Sequence, residues 1–271
     1  MAEHPRDMLK RLHLQPKHSW GQNFLSDDRV LSEIAEEAML RPGEACIELG
    51  PGLGHLTRFL LATGAKVTAV ERDRDMVKAL NSLKLEGLTL VEGNAAEIDF
   101  AKTANADQVV VVGNLPYHLS SPILFEVLDQ ADHVSRAVFT LQKEVVERVA
   151  AEPGTRESGI LTVMLALRFQ VENAFEVPAD MFHPPPNVDS AVLKLTRFPK
   201  PRAEVLNELR FRKVVKAGFA QRRKTLANSL KTEKTLTTDW AAVLEKAGVD
   251  GLRRAETLTV EEFAAIERAL G

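Results

Sequence analysis

Val109-Val110-Val111-Val112-Gly113-Asn114-Leu115-Pro116-Tyr117 is the stretch whose reading decides the fold. A short, wholly apolar run of this kind is the mark of a parallel strand buried on both faces. It places Asn114-Leu115-Pro116-Tyr117 at a strand's carboxyl end, where open α/β sheets bind ligands. The four residues suit one target well. An exocyclic amine on a nucleobase is a poor nucleophile, because its lone pair is delocalised into the ring. Attack is easier when its two N–H groups are held by acceptors that favour a pyramidal nitrogen. The Asn114 side chain and the Leu115 main chain each offer a carbonyl for that purpose. Pro116 fixes φ, biases Leu115 to an extended conformation and brings no competing N–H. Tyr117, the one tyrosine of the chain, can stack on a flat base, a contact worth ~1–3 kcal/mol. The pattern suggests methyl transfer to an amino group. Taken alone, the same four residues also suit a Pro-containing turn that ends a strand.

Length and composition narrow the class. A chain of 271 residues with 45% apolar content can bury a large core and suits one full α/β domain plus a smaller appendage. The amino terminus is polar and basic, and the longest apolar run, 160–167, is too short to span a bilayer. The expected location is therefore the cytoplasm, with no membrane partner. The single cysteine, Cys46, excludes an internal disulfide or a multi-cysteine zinc site and falls in a predicted buried strand, where packing is its expected role. The seven histidines show no metal-ligand spacing, no phosphate-binding loop or nucleophile elbow occurs, and no metal is expected.

The net charge of −3 hides an asymmetry. Between Arg197 and Lys234, twelve lysines and arginines stand against three acidic residues. Such a split points to a polyanion docking on that region. Within it, Phe211, Val214, Val215 and Phe219 share one helical face and Arg212, Lys213 and Lys216 the opposite one. Gln221-Arg222-Arg223-Lys224 adds to the basic block, and nucleic-acid contact is the expected use.

Working outward from the valines, strands alternate with helices as in a doubly wound sheet. Strands are predicted at 45–49, 66–70, 88–92, 109–112 and 137–141. Ser26 is the expected cap of a first helix running to about Met39, with Asp27 and Asp28 at its positive end. Pro199-Lys200-Pro201 marks a boundary, so that 1–198 form the α/β domain and 199–271 a helical, basic one. Its last helix carries a capping-box pattern in Thr259 and Glu262.

A second constellation, Glu48-Leu49-Gly50-Pro51-Gly52-Leu53-Gly54, lies between the first sheet strand and its helix. Its glycines let the backbone turn sharply and approach a ligand closely. An acid should end the next strand to hold ribose hydroxyls, and Glu71 fills that position. Both a nicotinamide dinucleotide and S-adenosylmethionine call for such an acid. The Asn114 tetrapeptide separates them, since hydride transfer has no evident use for amine acceptors beside a stacking aromatic.

Gly21-Gln22-Asn23-Phe24-Leu25, the Glu48 to Gly54 loop, Glu71, Asn114 to Tyr117 with His118-Leu119-Ser120-Ser121-Pro122, Phe182-His183-Pro184-Pro185-Pro186-Asn187-Val188-Asp189-Ser190, and Gly218 to Leu226 occur in that order. Together they resemble the KsgA-type rRNA adenine N6,N6-dimethyltransferases over about residues 18–230. The resemblance implies a Rossmann-like S-adenosylmethionine-dependent methyltransferase sheet with a small all-helical carboxyl-terminal domain. It also implies transfer of four methyls to two adjacent adenosines near the 3′ end of small-subunit (16S) rRNA, in ribosome biogenesis. A monomer acting on rRNA in a partly assembled 30S subunit is expected. Carried over by position, an amino-terminal arm, 1–25, closes on the cofactor through Gln22, Asn23 and Leu25. Gly50 borders the cofactor's methionine portion, Gly52 belongs to the cofactor-binding set, Glu71 holds the ribose hydroxyls, Arg72 lies beside the adenine, and Asn94 and Ala95 flank it. Asn94 departs from the aspartate common in the family, keeping an acceptor and losing the anion. Asn114, Leu115, Pro116 and Tyr117 are the expected catalytic set, and Asn114 also touches the cofactor. Phe182 covers the target base or is a simple core residue, and Arg222, Arg223 and Lys224 grip RNA. Two other readings are a macrolide-resistance methyltransferase acting on large-subunit rRNA and a non-catalytic RNA-binding assembly factor.

Overall fold

The computed structural model describes residues 3–17, 20–221, 223–236 and 238–271. The chain divides into two compact units, Met1–Val146 with Glu172–Arg197, and Glu147–Val171 with Phe198–Gly271.

The first unit begins with helix α1 (Pro5–Arg11), the two-residue strand β1 (Phe24–Leu25) and helix α2 (Asp28–Glu37). It continues through β2 (Ala45–Leu49), α3 (His55–Ala62), β3 (Lys66–Glu71), α4 (Arg74–Leu83), β4 (Leu88–Glu92), α5 (Phe100–Ala104), β5 (Val109–Asn114), α6 (Ser120–Asp129) and β6 (Val134–Gln142). After α7 (Lys143–Val149) and α8 (Ile160–Arg168), strands β7 (Phe169–Val177), β8 (Phe182–His183) and β9 (Ser190–Arg197) complete the strand set. Seven strands form one sheet in the order β4-β3-β2-β5-β6-β9-β7, and β1 pairs antiparallel with β8. The strands from β2 to β6 are mutually parallel, and β9 returns antiparallel beside β6.

The four valines of β5 are fully buried, as expected of a central parallel strand covered on both faces. One layer of the core joins Val110, Val112 and Val138 to Leu31 and Ile34 of α2 and to Leu56 and Leu60 of α3. A second cluster joins Met8 and Leu9 of α1 to Phe24, Leu53, Met76 and Ala79. Burying each such side chain is worth ~1.5–3 kcal/mol, so the amino-terminal helix is held on α4 and the glycine loop by ordinary apolar packing. Cys46 is buried in the first layer, where burial pushes its thiol well above the usual range. The N-cap of α2 is Asp27, whose carboxylate accepts from Arg29 N and Val30 N. The Ser26 reading is thereby corrected: its hydroxyl is occupied elsewhere, donating to the Met181 carbonyl at 2.8 Å next to the β1–β8 pair.

The second unit contains α8 and the helices α9 (Glu208–Phe219), α10 (Leu226–Leu230), α11 (Trp240–Ala247) and α12 (Val260–Ala269). Residues 147–171, which the sequence reading assigns to the α/β domain, group with these helices because α8 packs on α9 and α12. Its apolar face leaves no alternative but burial against other helices. Thr259 and Glu262 form the reciprocal capping box at the start of α12. In α9, Phe211, Val214 and Val215 are buried, Phe219 stacks on Phe263 at 5.9 Å, and Lys213 and Lys216 are exposed. Glu267 is completely buried, and its carboxylate is satisfied by Arg210, Leu206 N and Asn207 N.

Candidate active site

The strand order reverses between β2 and β5: from β2 the chain passes through α3 to β3 on one side, while β5 passes through α6 to β6 on the other. A crevice opens beyond the carboxyl ends of such a pair. Here it is a cavity of ≈ 340 Å³ whose wall includes Gly50, Gly52, Glu71, Asn94, Asn114 and Tyr117. The two motifs separated in sequence are thus adjacent in space, because parallel register sets Glu48 beside Val112.

The loop after β2 is shaped by positive φ. Gly50 has φ +66°, and a Cβ there would project into space free of any atom within 4 Å. Backbone can therefore approach a ligand at this point. Gly52, at φ +55°, lies under the Phe24 ring, 3.0 Å from where its Cβ would be. Its N–H donates to Glu71 Oε2 at 3.1 Å, and Asp73 N–H donates to Oε1 at 2.8 Å. These donors fix the Glu71 carboxyl and draw its pKa down, but burial is the larger influence and raises it. Glu48, at the end of β2, is 1% exposed and also lines the cavity.

On the facing wall, the Asn114 amide is oriented by its neighbours. Its Nδ2 donates to the Asn23 carbonyl at 3.1 Å. Since only the nitrogen can donate, Oδ1 is the atom left facing the cavity. Among the described residues nothing donates to Asn114 Oδ1 or to the Leu115 carbonyl. Leu115 N–H donates to the Thr140 carbonyl at 3.2 Å, anchoring the turn to β6. Pro116, at φ −55° and ψ 133°, starts a 3-10 turn over Tyr117–Leu119, and the Ser120 hydroxyl donates to the Tyr117 carbonyl. The Tyr117 hydroxyl lies 3.1 Å from Ser190 Oγ, while its ring is half-buried in the cavity wall. Burial raises the Tyr117 pKa, so the phenol stays neutral. Phe182 is 5% exposed, belongs to the core cluster and also lines the cavity.

The amino-terminal arm completes the wall. Gln22 Nε2 donates to Asp73 Oδ2 at 2.7 Å, and Gln22 Oε1 accepts from Lys17 N–H at 2.9 Å. Lys17 Nζ bridges Asp73 at 2.5 Å and Asp75 at 2.7 Å, so the arm is pinned to the first turn of α4. Leu25 is buried opposite Phe182 in the β1–β8 pair. Arg72 is exposed, its guanidinium 5.6 Å from the Trp20 ring centre. Asn94 is tied to Glu97 at 2.6 Å through Nδ2 and receives Ala96 N–H at Oδ1, and with Ala95 it borders the cavity. Every site residue named from the sequence in this unit therefore meets at one cavity, and Asn23 is also tied to Asn114. In the helical unit Arg223 and Lys224 are exposed, and Arg222 lies outside the described residues. Sequence reading missed Lys17, Asp73 and Trp20. The only trace of the first two is the spacing Asp73, Asp75, which reads as a helix cap.

No helix among the described residues is long and apolar enough to cross a membrane, and none of their acidic, histidine and cysteine side chains cluster as a metal site. The chain is 64% identical over 271 residues to a Myxococcus xanthus (strain DK1622) protein named ribosomal RNA small subunit methyltransferase A, covering 99% of this chain and 96% of that one. A Bacillus thuringiensis (strain Al Hakam) protein of the same name is 38% identical, covering 98% and 94%. The fold matches the crystal structure of a dimethyladenosine transferase from Plasmodium falciparum, with a TM-score of 0.76 and 25% identity over 90% of this chain and 95% of that one. It also matches that of the 23S rRNA methyltransferase ErmE, with a TM-score of 0.71 and 27% identity over 92% and 99%. The family described as ribosomal RNA adenine dimethylase matches residues 13–268, and the chain belongs to that family.

Proposed function

We propose that this protein transfers methyl groups from S-adenosylmethionine to N6 of two adjacent adenosines near the 3′ end of small-subunit rRNA, within a partly assembled 30S subunit in the cytoplasm. The observation that carries the reading is the pair of unengaged acceptors, Asn114 Oδ1 and the Leu115 carbonyl, at the wall of a cavity that also holds the glycine loop and Glu71.

The cavity fits the cofactor. The open backbone at Gly50 admits close approach, Glu71 presents a fixed carboxyl to ribose hydroxyls, and Gln22, Asn23 and Leu25 close the arm over it. When bound, S-adenosylmethionine supplies a methyl already activated on a sulfonium. The residues are then left with placement rather than acid–base work. Asn114 Oδ1 and the Leu115 carbonyl each accept one N–H of the adenine amine, which draws the nitrogen toward a pyramidal geometry. Tyr117 stacks on the base, with Phe182 supporting the opposite side. The amine loses its proton to solvent after it has gained the methyl. After one transfer N6 keeps a single N–H, so the second transfer loses one acceptor contact. A base drawn from a helix costs a few kcal/mol to unstack, and the Arg222 to Lys224 block offsets this by holding RNA backbone.

Tyr117→Ala is expected to lower transfer about 10- to 100-fold through lost stacking. Tyr117→Phe, which loses only the contact to Ser190, is expected to stay within about threefold; single-turnover rates on unmethylated small subunits compare the two. Lys17→Met is expected to raise the cofactor Kd by about threefold to fivefold, since the ion pair is partly exposed and worth under ~1 kcal/mol. Equilibrium binding at rising salt checks this, because the difference from wild type shrinks as the pair is screened. Label from S-adenosylmethionine should enter small-subunit rRNA and leave large subunits untouched. Label in large-subunit RNA alone would favour the resistance-type activity, and label in neither a binding factor.

A further inference from the structure

His183 stands next to the wall that receives the target base and takes no part in it. Successive side chains of a strand point to opposite faces, so on β8 Phe182 enters the cavity while His183, half-buried, turns away from it. The His183 ring centre lies 5.8 Å from that of His4, the residue that caps α1. His4 Nδ1 accepts the Arg6 N–H at 3.2 Å, which leaves the neutral ring with its proton, and a donor, at Nε2. Arg6 and Lys10 stand four residues apart and so share one flank of α1. Both are exposed, and neither has an acidic partner among the described residues. Arg11, on the other flank, is paired with Glu3 at 2.7 Å. His183 feels the charges of His4, Arg6 and Lys10, with Asp7 opposing them.

Like charges four residues apart disfavour the helix that carries them, and a facing imidazole adds to the repulsion. An anion settling among the four groups reverses that cost. None of the four lines the cavity, so the anion they suit is one outside it.

We propose that His183, His4, Arg6 and Lys10 form a phosphate site that holds the RNA strand presenting the target adenosine. The proposal rests on the reading of Phe182 and Tyr117 as the walls of the target-base site. Consecutive Cα atoms are ~3.8 Å apart, so a nucleotide whose base lies against Phe182 has its own or the adjoining phosphate within reach of His183. The site belongs to the α/β unit and is separate in sequence from the Arg222 to Lys224 block. Its work is to fix one phosphate beside the reacting base, where the other block grips backbone at large.

A phosphate contact of this kind leaves a mark in pH. Burial, followed by the charges of His4, Arg6 and Lys10 and opposed by Asp7, holds the His183 imidazole below its ordinary value. From β1 its register partner is Phe24, which does not titrate. Bound phosphate favours the charged ring and moves its pKa back up. The affinity gained is fully present below the free-site pKa and is lost as pH rises through the bound-site pKa.

The test is equilibrium binding of the full chain to unmethylated small subunits, with S-adenosylhomocysteine present to prevent turnover and large subunits in parallel. The double variant Arg6→Gln with Lys10→Gln should bind about threefold to tenfold more weakly at low salt and lower the slope of log Kd against log salt by about one. Wild-type affinity should fall about threefold to tenfold from pH 6 to pH 8, and His183→Gln should remove most of that fall. Both variants should bind S-adenosylmethionine within about twofold of wild type, as surface changes away from the cavity do. Binding by wild type that ignores pH overturns the proposal, in an arm that needs no variant to fold. So does a fall with pH that His183→Gln leaves intact, or unchanged affinity and slope in the double variant. Loss of S-adenosylmethionine binding together with RNA binding in both variants would mark these residues as packing for the arm, and overturns it as well. Wild type that binds large subunits alone, with both variants weakened as expected, overturns the small-subunit reading and supports the phosphate site, which separates the two failures.

Discussion

Asn114→Ala is expected to lower methyl transfer by about 100- to 1,000-fold at saturating cofactor, the loss typical of removing one preorganised polar contact to the reacting group. The variant removes Oδ1, one of two acceptors available to the amine, and also Nδ2, which ties β5 to the Asn23 carbonyl of the arm. The second loss weakens cofactor binding, so the rate is read in single turnover with both ligands saturating. RNA affinity should stay within about twofold on the proposed assignment of RNA contact to the basic helical unit. Asn114→Asp separates the two functions. It keeps an acceptor for the amine but turns a carboxylate toward the Asn23 carbonyl, so it should bind cofactor worse than wild type while transferring faster than Asn114→Ala. Equal rates for Asn114→Ala and wild type would remove Asn114 from the mechanism.

Gly113→Ala is the second large effect and works through backbone. A Cβ at Gly113 would lie 2.7 Å from the Leu49 carbonyl oxygen and 2.9 Å from Leu115 Cδ2. The carbonyl belongs to β2 and cannot rotate away, so β2 and β5 must separate at the point where the site opens. Overpacking of this kind costs about 1–3 kcal/mol. It also shifts the Asn114 acceptors relative to the glycine loop, and a displacement near 1 Å costs on the order of 100-fold in rate. Gly50→Ala is the matched comparison. Its Cβ meets no protein atom, but φ +66° strains it and the methyl points into the cavity. It should melt close to wild type, within about 1–2 kcal/mol, and bind cofactor poorly. Thermal melts beside cofactor titrations check both. If Gly113→Ala kept full activity, the close approach of β2 and β5 would not set the acceptor geometry.

What the sequence made legible follows from burial. Strands at 45–49 and 88–92 coincide with β2 and β4, and the valine run with the buried part of β5; the valine run is legible because a central parallel strand is apolar throughout and needs no knowledge of its neighbours, whereas β4 is the partly exposed edge strand of the sheet. The glycine loop, Glu71 and the Asn114 turn could be named for the same reason: each is a short local pattern at a strand end. What stayed hidden depends on partners far along the chain. The two-residue pair β1–β8 joins positions more than 150 residues apart, with Ser26 and Met181 beside it. No local pattern marks a two-residue strand, and Ser26 looks like a cap in sequence because its acceptor, the Met181 carbonyl, lies far along the chain. Lys17 and Asp73 meet across 56 positions, and a basic residue before a helix cap carries no signal of that contact. Residues 147–171 read as part of the α/β domain because the Pro-rich boundary falls later. Their helical unit is assembled from two separated stretches of chain.

The most direct measurement is mass-spectrometric mapping of small-subunit rRNA after incubating unmethylated small subunits with the protein and S-adenosylmethionine, with Asn114→Ala in parallel. The account predicts two adjacent N6,N6-dimethyladenosines near the 3′ end with wild type and almost none with the variant. Methylation at another base or subunit, or the same paired product at undiminished rate from Asn114→Ala, would contradict it.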